Sequence, residues 1–176
     1  MKLAMIGLGR MGMNMARRLL GGNHQVVAYN RSPEKTKKLV AVGAVGAFSL
    51  EEVIQKLEPP RIVWLMLPAG RVVDDHITAL SAMLSAEDIM IDGGNSFYKD
   101  DIRRAAKLAE NKIRYLDAGV SGGIWGLKIG YCTMIGGQKE SYQRIEPILK
   151  TLAPPNGYLY CGNIGAGHFV KMIHNG

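Results

Sequence analysis

The sequence predicts a doubly wound α/β fold on a mostly parallel sheet, and three observations carry that expectation. Short, almost uninterrupted apolar runs such as "KLAMI" (2–6), "QVVAY" (25–29) and "RIVWLML" (61–67) alternate with longer segments of helical period. Strands covered on both faces read this way, because helical crossovers shield both sides of a parallel sheet. A glycine pattern, "IGLGRMG" (6–12), sits at the first strand-to-helix junction. The composition, with 176 residues, 47% apolar and 21% charged, is that of a globular domain.

The first strand covers 2–6, and a helix follows over 10–20 with Met11, Met15, Leu19 and the small Ala16 turned inward. The second strand is 25–29. Ser32-Pro33-Glu34 then opens a helix, with serine at the cap and proline at the first position. A short apolar segment near 43–48 adds a strand, 61–67 is the third strong strand and "DIMID" (88–92) the fourth. Residues 98–110 read as an amphipathic helix with Ile102, Ala105, Ala106 and Ala109 on one face, and "RYLDAG" (114–119) as the fifth strong strand. Beyond residue 130 come a strand (131–137), a helix (139–150) and a strand (157–162), extending the sheet with one antiparallel member. The last ten residues, "GHFVKMIHNG", open a helix on which Lys171, His174 and Asn175, spaced i, i+3, i+4, share one side. No repeat or low-complexity linker divides the chain.

Composition also excludes function classes. No run reaches the roughly 18–20 apolar residues of a membrane helix, and the N-terminus lacks the pattern of a signal peptide. Cys132 and Cys161 form no CxxC, so no disulfide framework is expected and the setting reads as reducing and cytoplasmic. The net charge of +7 is spread over small clusters, Arg17-Arg18, Lys35-Lys37-Lys38 and Arg103-Arg104, at the spacing of solvated helix faces. Without an aromatic-interleaved basic stripe, neither nucleic acid nor a membrane is an expected partner; phosphate-bearing metabolites are. Trp64 and Trp125 read as packing, Met5, Met11, Met15 and Met134 as core filler, Cys132 as a buried strand residue, and His24 and His76 as surface. His168 fits either a core or a functional role.

The glycine loop is the strongest functional signal. Gly-x-Gly-x-x-Gly between a strand and a helix is the dinucleotide-binding arrangement. Gly7 permits the turn, Gly9 lets backbone approach a pyrophosphate and Gly12 lets the helix pack on the strand, while the helix N-terminus faces the phosphates. Gly7, Leu8, Gly9, Arg10, Met11 and Gly12 are therefore cofactor-binding candidates. The second strand ends in Asn30, Arg31 and Ser32 instead of an acidic residue, so nothing repels a 2′-phosphate and a guanidinium can pair with one. NADP is the expected cofactor, with NAD the alternative. Ligands of such sheets bind at the carboxyl ends of the strands. The loop after the third strong strand (Leu67, Pro68, Ala69) is placed to line the cofactor. "DGGNS" (92–96) can bring the Asn95 amide to a ligand, and Ser121, Gly122 and Gly123 can offer a hydroxyl and two N–H groups to a carboxylate. Each of the last two loops, taken alone, is as readily an ordinary turn.

Four motifs together, "GLGRMGMNMARRL", "IDGGNS", "GVSGGIWGLKIGYC" and "GHFVKMIHNG", resemble 6-phosphogluconate dehydrogenase of the short-form type, the decarboxylating enzyme of the pentose phosphate pathway and gluconate utilization. The resemblance spans 1–176. It implies a Rossmann-type cofactor domain over 1–176 that ends in the first turns of a connecting helix, with the family's all-helical C-terminal domain missing. It implies hydride transfer from C3 of 6-phosphogluconate, loss of carbon dioxide, and protonation at C1 to give ribulose 5-phosphate, with no metal. By the same resemblance Lys171 takes the C3 hydroxyl proton, with Asn175 beside it in the catalytic set. Ser121, Gly122 and Gly123 hold the carboxylate end, and Asn95, His174 and Asn175 bind hydroxyls, Asn95 also touching the cofactor. The family motif continues Ile-Glu-Tyr, supplying a proton donor and a substrate ligand, so the 176-residue chain is expected to be inactive alone and the complete protein to be a homodimer. Two other readings stay open: a non-catalytic dinucleotide-binding module, and a 3-hydroxyisobutyrate-type β-hydroxyacid dehydrogenase.

Overall fold

The computed structural model describes all residues, Met1–Gly176. Eight strands, β1 (Lys2–Ile6), β2 (Gln25–Tyr29), β3 (Val45–Gly46), β4 (Ile62–Leu65), β5 (Ile89–Asp92), β6 (Arg114–Ser121), β7 (Cys132–Gly137) and β8 (Tyr158–Gly162), form one sheet in the order β3-β2-β1-β4-β5-β6-β7-β8. The helices are α1 (Arg10–Gly21), α2 (Pro33–Val40), α3 (Leu50–Gln55), α4 (Arg71–Ser81), α5 (Tyr98–Ala109), α6 (Gly126–Ile129), α7 (Lys139–Leu152) and α8 (Ala166–Asn175). The strand order reverses between β1 and β4, the switch point at which such sheets bind ligands.

The first six strands are parallel. Two strands, not the expected one, run the other way: β7 pairs antiparallel with β6, and β8 is parallel to β7. The link between β6 and β7 is residues 122–131, a 3-10 turn and the short α6. A parallel crossover needs a dozen residues or more, so the chain turns back instead.

Alternation along each strand divides two cores. Leu3, Met5, Ile89, Ile91, Leu116 and Ala118 face α1 and α7, while Ala4, Ile6, Val63, Leu65, Met90 and Tyr115 face α3, α4 and α5. Trp64, Met5 and Met15 are fully buried, and Met11 and Met134 are half-buried. Helices α3 and α4 are additions to the elements that the sequence predicts.

Several expected placements are corrected. Trp125 is 66% exposed, because the 3-10 turn Gly123–Trp125 lies past the end of β6 and buries none of its residues. Cys132, opposite Ser121 at the rim of the sheet, is exposed. His24 is buried, its ring bonded to the Met1 amine at 3.0 Å and to Thr151 Oγ1 at 2.8 Å. Arg18 is no solvated surface residue: its Nε donates to the Thr151 and Leu152 carbonyls at 2.9 Å each, closing the C-terminal end of α7. The inward face of α5 is not the alanine stripe. It carries Asp101, Arg104 and Leu108, and Ile102 is 51% exposed. No helix is long and apolar enough to cross a membrane.

Candidate dinucleotide and lysine sites

The glycine loop joins β1 to α1 at the switch point. Gly7 has φ +93°, a conformation L side chains avoid, and a Cβ there would collide with the Met66 carbonyl. A Cβ on Gly12 would strike the Gly7 carbonyl, so α1 starts flush against the strand; Gly9, its N-cap, faces open space. α1 has no acidic residue in its first turn, which leaves its N-terminal N–H groups free for an anion.

A cavity of about 380 Å³ opens beside this loop, lined in part by Gly7, Gly9, Asn30, Arg31, Leu67 and Pro68. Leu8 borders an adjoining hollow of about 330 Å³, where Arg10, Arg17, Lys35 and Lys38 gather. Lys35 lines both, so the lysine cluster of α2 belongs to this site. Asn30 does more than leave room for a phosphate. Leu8 N donates to its Oδ1 at 2.8 Å, and its Nδ2 donates to the Ser32 carbonyl at 3.3 Å, so it ties the glycine loop to the end of β2. Met11 and Ala69 lie on the flanking segments but line neither cavity, and Ser32 takes part through its carbonyl.

The second site lies at the carboxyl ends of β5 and β6. Tyr115, Asp117, Gly119 and Ser121 alternate along one face of β6, and α8 lies on that face. A Cβ on Gly119 would come within 2.5 Å of Lys171 Cβ and 2.9 Å of the Gly167 carbonyl, so α8 rests directly on the strand. Asp117 caps α8 from below, accepting from Gly165 N at 2.7 Å and His168 N at 2.8 Å. Burial pushes the Asp117 carboxyl above its ordinary value, against these two bonds.

Lys171, Asn175 and Asn95 line one cavity of about 440 Å³, together with Ser96, Tyr98 and His168. Burial holds the half-buried Lys171 amine below its ordinary pKa. Ser121, Gly122 and Gly123 are not among the lining residues, although Ser121 follows Gly119 on the same face of β6. His174 is exposed outside the cavity.

Beneath this cavity is a buried charge network that the sequence did not reveal. Asp101 Oδ2 meets His168 Nδ1 at 2.6 Å, and Tyr115 donates to Asp101 Oδ1 at 2.7 Å. Arg104 pairs with Asp92 at 3.3 Å and with Asp74 at 2.8 Å, and Asp92 accepts from the Ser96 hydroxyl. Burial pushes Asp92 up, against the pull of His168, Ser96 and the Gly94 N–H. Burial opposes a charge on His168, but the Asp101 hydrogen bond and carboxylate outweigh it and raise the imidazole's pKa. Ligating atoms of Asp92, Asp101 and His168 lie within 4.8 Å of one another. Arg104 lies in the same cluster, its guanidinium paired with Asp92 at 3.3 Å.

The largest cavity, about 760 Å³, lies apart from both sites, near the start of α7. In its wall Arg114 donates to Glu87 and to Gln138 at 2.7 Å each.

Known proteins share this sequence and fold. The family model described as the NAD binding domain of 6-phosphogluconate dehydrogenase matches residues 2–165. The NAD(+)-dependent, decarboxylating 6-phosphogluconate dehydrogenase of Haloferax volcanii is 38% identical, over 100% of this chain and 58% of its own length. The NADP(+)-dependent enzyme of Bacillus subtilis is 43% identical, over 99% of this chain and 39% of its own. Among solved structures, Plasmodium falciparum 6-phosphogluconate dehydrogenase, studied as apo form and with NADP+ and 6-phosphogluconate, superposes with a TM-score of 0.93 at 33% identity. It covers 99% of this chain and 40% of that one. A Mycobacterium tuberculosis 3-hydroxyisobutyrate dehydrogenase superposes with a TM-score of 0.89 at 30% identity, over 99% of this chain and 58% of that one. The chain thus spans less than two thirds of each of these relatives. With its glycine loop, its doubly wound sheet and a family match over residues 2–165, the chain belongs to the family of NAD-binding domains of 6-phosphogluconate dehydrogenase.

Proposed function

We propose that the protein is the cofactor-binding part of an enzyme that oxidises and decarboxylates 6-phosphogluconate to ribulose 5-phosphate with NADP. One observation carries the reading: a half-buried amine, Lys171, shares a cavity with the Asn95 and Asn175 amides, with β4 and β5 between its seat on β6 and the glycine loop at β1. An amine serves as a base at neutral pH only when its pKa is lowered, and burial does that here.

The dinucleotide, when bound, would accept the hydride from C3. The residues of this chain do the rest of the work assigned to them. Neutral Lys171 takes the C3 hydroxyl proton, and as an ammonium it then hydrogen-bonds the C3 oxygen while the carboxylate leaves. Asn95 and Asn175 hold neighbouring hydroxyls, with His174 at the rim. Ser121 and the Gly122 and Gly123 N–H groups receive the carboxylate. Arg31 and Lys35, with no carboxylate at the end of β2, favour the 2′-phosphate of NADP; relatives of both cofactor types match this chain. The reading includes a cytoplasmic setting in sugar-phosphate metabolism and a homodimer of the complete protein. It leaves the 176-residue chain able to bind dinucleotide but not to turn over substrate.

The test is substrate-dependent reduction of NADP by the complete protein, with carbon dioxide and ribulose 5-phosphate measured as products. Formation of both from 6-phosphogluconate is expected. Likeness to the 3-hydroxyisobutyrate dehydrogenase structure favours a second reading. Reduction of the cofactor with 3-hydroxyisobutyrate, and none with 6-phosphogluconate, would replace the first reading by the second.

A further inference from the structure

Arg104, on α5, is the only arginine or lysine among the buried residues, its side chain 1% exposed. It lines neither the dinucleotide cavity nor the Lys171 cavity, and the assigned chemistry leaves it unused. Its N–H donors are divided between two separate stretches of chain. On one side Nε donates to Asp74 Oδ1 at 2.8 Å and Nη2 to the Gly70 carbonyl at 3.2 Å, both at the start of α4. On the other, Nη1 donates to Asp92 Oδ2 and to the Ser96 hydroxyl at 3.3 Å each. Asp92 in turn accepts from Gly94 N at 3.0 Å.

These two stretches form walls of the two sites. Leu67 and Pro68, with Val72 and His76 on α4, line the dinucleotide cavity. Asn95 and Ser96 line the Lys171 cavity. The two loops also meet directly, since a Cβ on Gly94 would come within 2.5 Å of the Leu67 carbonyl oxygen. A buried ion pair is a weak source of stability, because desolvation offsets much of the attraction. A planar guanidinium, with donors in fixed directions, is well suited to setting geometry instead. Here one such group fixes where Gly70 lies relative to Ser96.

We propose that Arg104 is a positioning residue that holds the dinucleotide loop (67–70) and the Asn95 loop (92–96) together as one wall shared by the two cavities. Without it, a ligand of either cavity must order part of that wall as it binds. Fixing the backbone of one residue weakens binding by about 5- to 30-fold. The part of the inference that concerns substrate rests on the reading of the Lys171 cavity as the substrate site; the part that concerns dinucleotide does not.

The experiment compares the complete wild-type protein with Arg104→Lys, well below the melting temperature of either. Lysine keeps the charge, but its single ammonium cannot span both loops. NADP affinity is read by fluorescence titration, and the mobility of 66–70 and 92–96 by hydrogen exchange of the free protein. The variant should bind NADP about 5- to 30-fold more weakly and exchange faster in both segments. Its KM for 6-phosphogluconate should rise by a similar factor. Arg103 is next to Arg104 and pairs with the same Asp74, but it bonds neither Gly70 nor the Asn95 loop. Arg103→Lys should therefore leave every reading at the wild-type value. Asp74→Ala unties Arg104 from α4 at a partly exposed position. It should shift NADP affinity and exchange in the same direction, and supplies the readout if Arg104→Lys does not fold. A lower Tm with unchanged NADP affinity and exchange would make Arg104 a structural ion pair only and overturn the proposal. Faster exchange confined to one of the two segments would overturn it as well. Weaker NADP binding and faster exchange in both segments, in a protein that does not act on 6-phosphogluconate, would leave the shared wall standing and sink the proposed function instead.

Discussion

Replacing Gly119 by alanine tests how closely the Lys171 helix is seated. The new Cβ would lie 2.5 Å from Lys171 Cβ and 2.9 Å from the Gly167 carbonyl oxygen, neither at the flexible end of a side chain. Carbon atoms rest about 3.5–4.0 Å apart, so α8 must withdraw by about 1 Å. Overpacking of this kind costs about 1–3 kcal/mol. For a domain of this size each kcal/mol lowers Tm by about 2–4 °C, so a fall of about 2–12 °C is expected. The functional effect should be larger, since a displacement of about 1 Å at a reacting group costs on the order of 100-fold in rate. Circular dichroism melting, dinucleotide titration and steady-state kinetics of the complete protein with 6-phosphogluconate measure all three consequences. Dinucleotide affinity should hold, because two strands, β4 and β5, separate β6 from the glycine loop at β1. Wild-type kcat together with an unchanged Tm would refute the packing argument.

Three further outcomes are expected. Lys171→Met should keep dinucleotide affinity while lowering kcat by about 100- to 10,000-fold, the range for loss of a general base; normal turnover in this variant would remove Lys171 from the mechanism. Arg31→Asp removes a charge-assisted contact of about 1.5–3 kcal/mol, so NADP should bind about 10- to 150-fold more weakly and NAD almost unchanged in a fluorescence titration. Equal NADP affinity would end the argument from the end of β2. The third outcome concerns pH. The folded pKa of His168 is raised above its ordinary 6.5, with burial opposing and Asp101 favouring the cation. The stability it contributes is complete below about pH 6.5 and is lost as pH rises through the raised value. Urea denaturation should show wild type losing stability across that window and His168→Gln lacking this component. Parallel curves for the two proteins would contradict it.

What the sequence shows of this fold is the part decided locally. Strands 2–6 and 25–29 match to the residue because a continuous apolar run flanked by polar and glycine signals admits one assignment. The glycine loop is legible for the same reason, its turn, close approach and helix start lying within seven residues. The helix at 98–110 is placed correctly, but its inward face is not, because Asp101 and Arg104 look solvent-facing until their partners are known. Those partners lie 67 residues away at His168, 30 at Asp74 and 12 at Asp92. In the sequence Asn30 reads as a cofactor residue, but its bond to Leu8 across 22 residues appears only in three dimensions. Likewise the spacing Tyr115-Asp117-Gly119-Ser121 is a strand alternation. Only the folded chain shows that it builds a network, a helix cap, a seat for Lys171 and a rim hydroxyl along one face.

The central claim is that the Lys171 cavity and the glycine loop belong to one reaction site. It is tested most directly by incubating the complete protein with NADP and 6-phosphogluconate carrying a carbon-14 carboxylate, and counting labelled carbon dioxide against NADPH formed. The account predicts equal amounts of the two from the wild type and neither from Lys171→Met. NADPH without labelled carbon dioxide, or equal product from Lys171→Met, would contradict it.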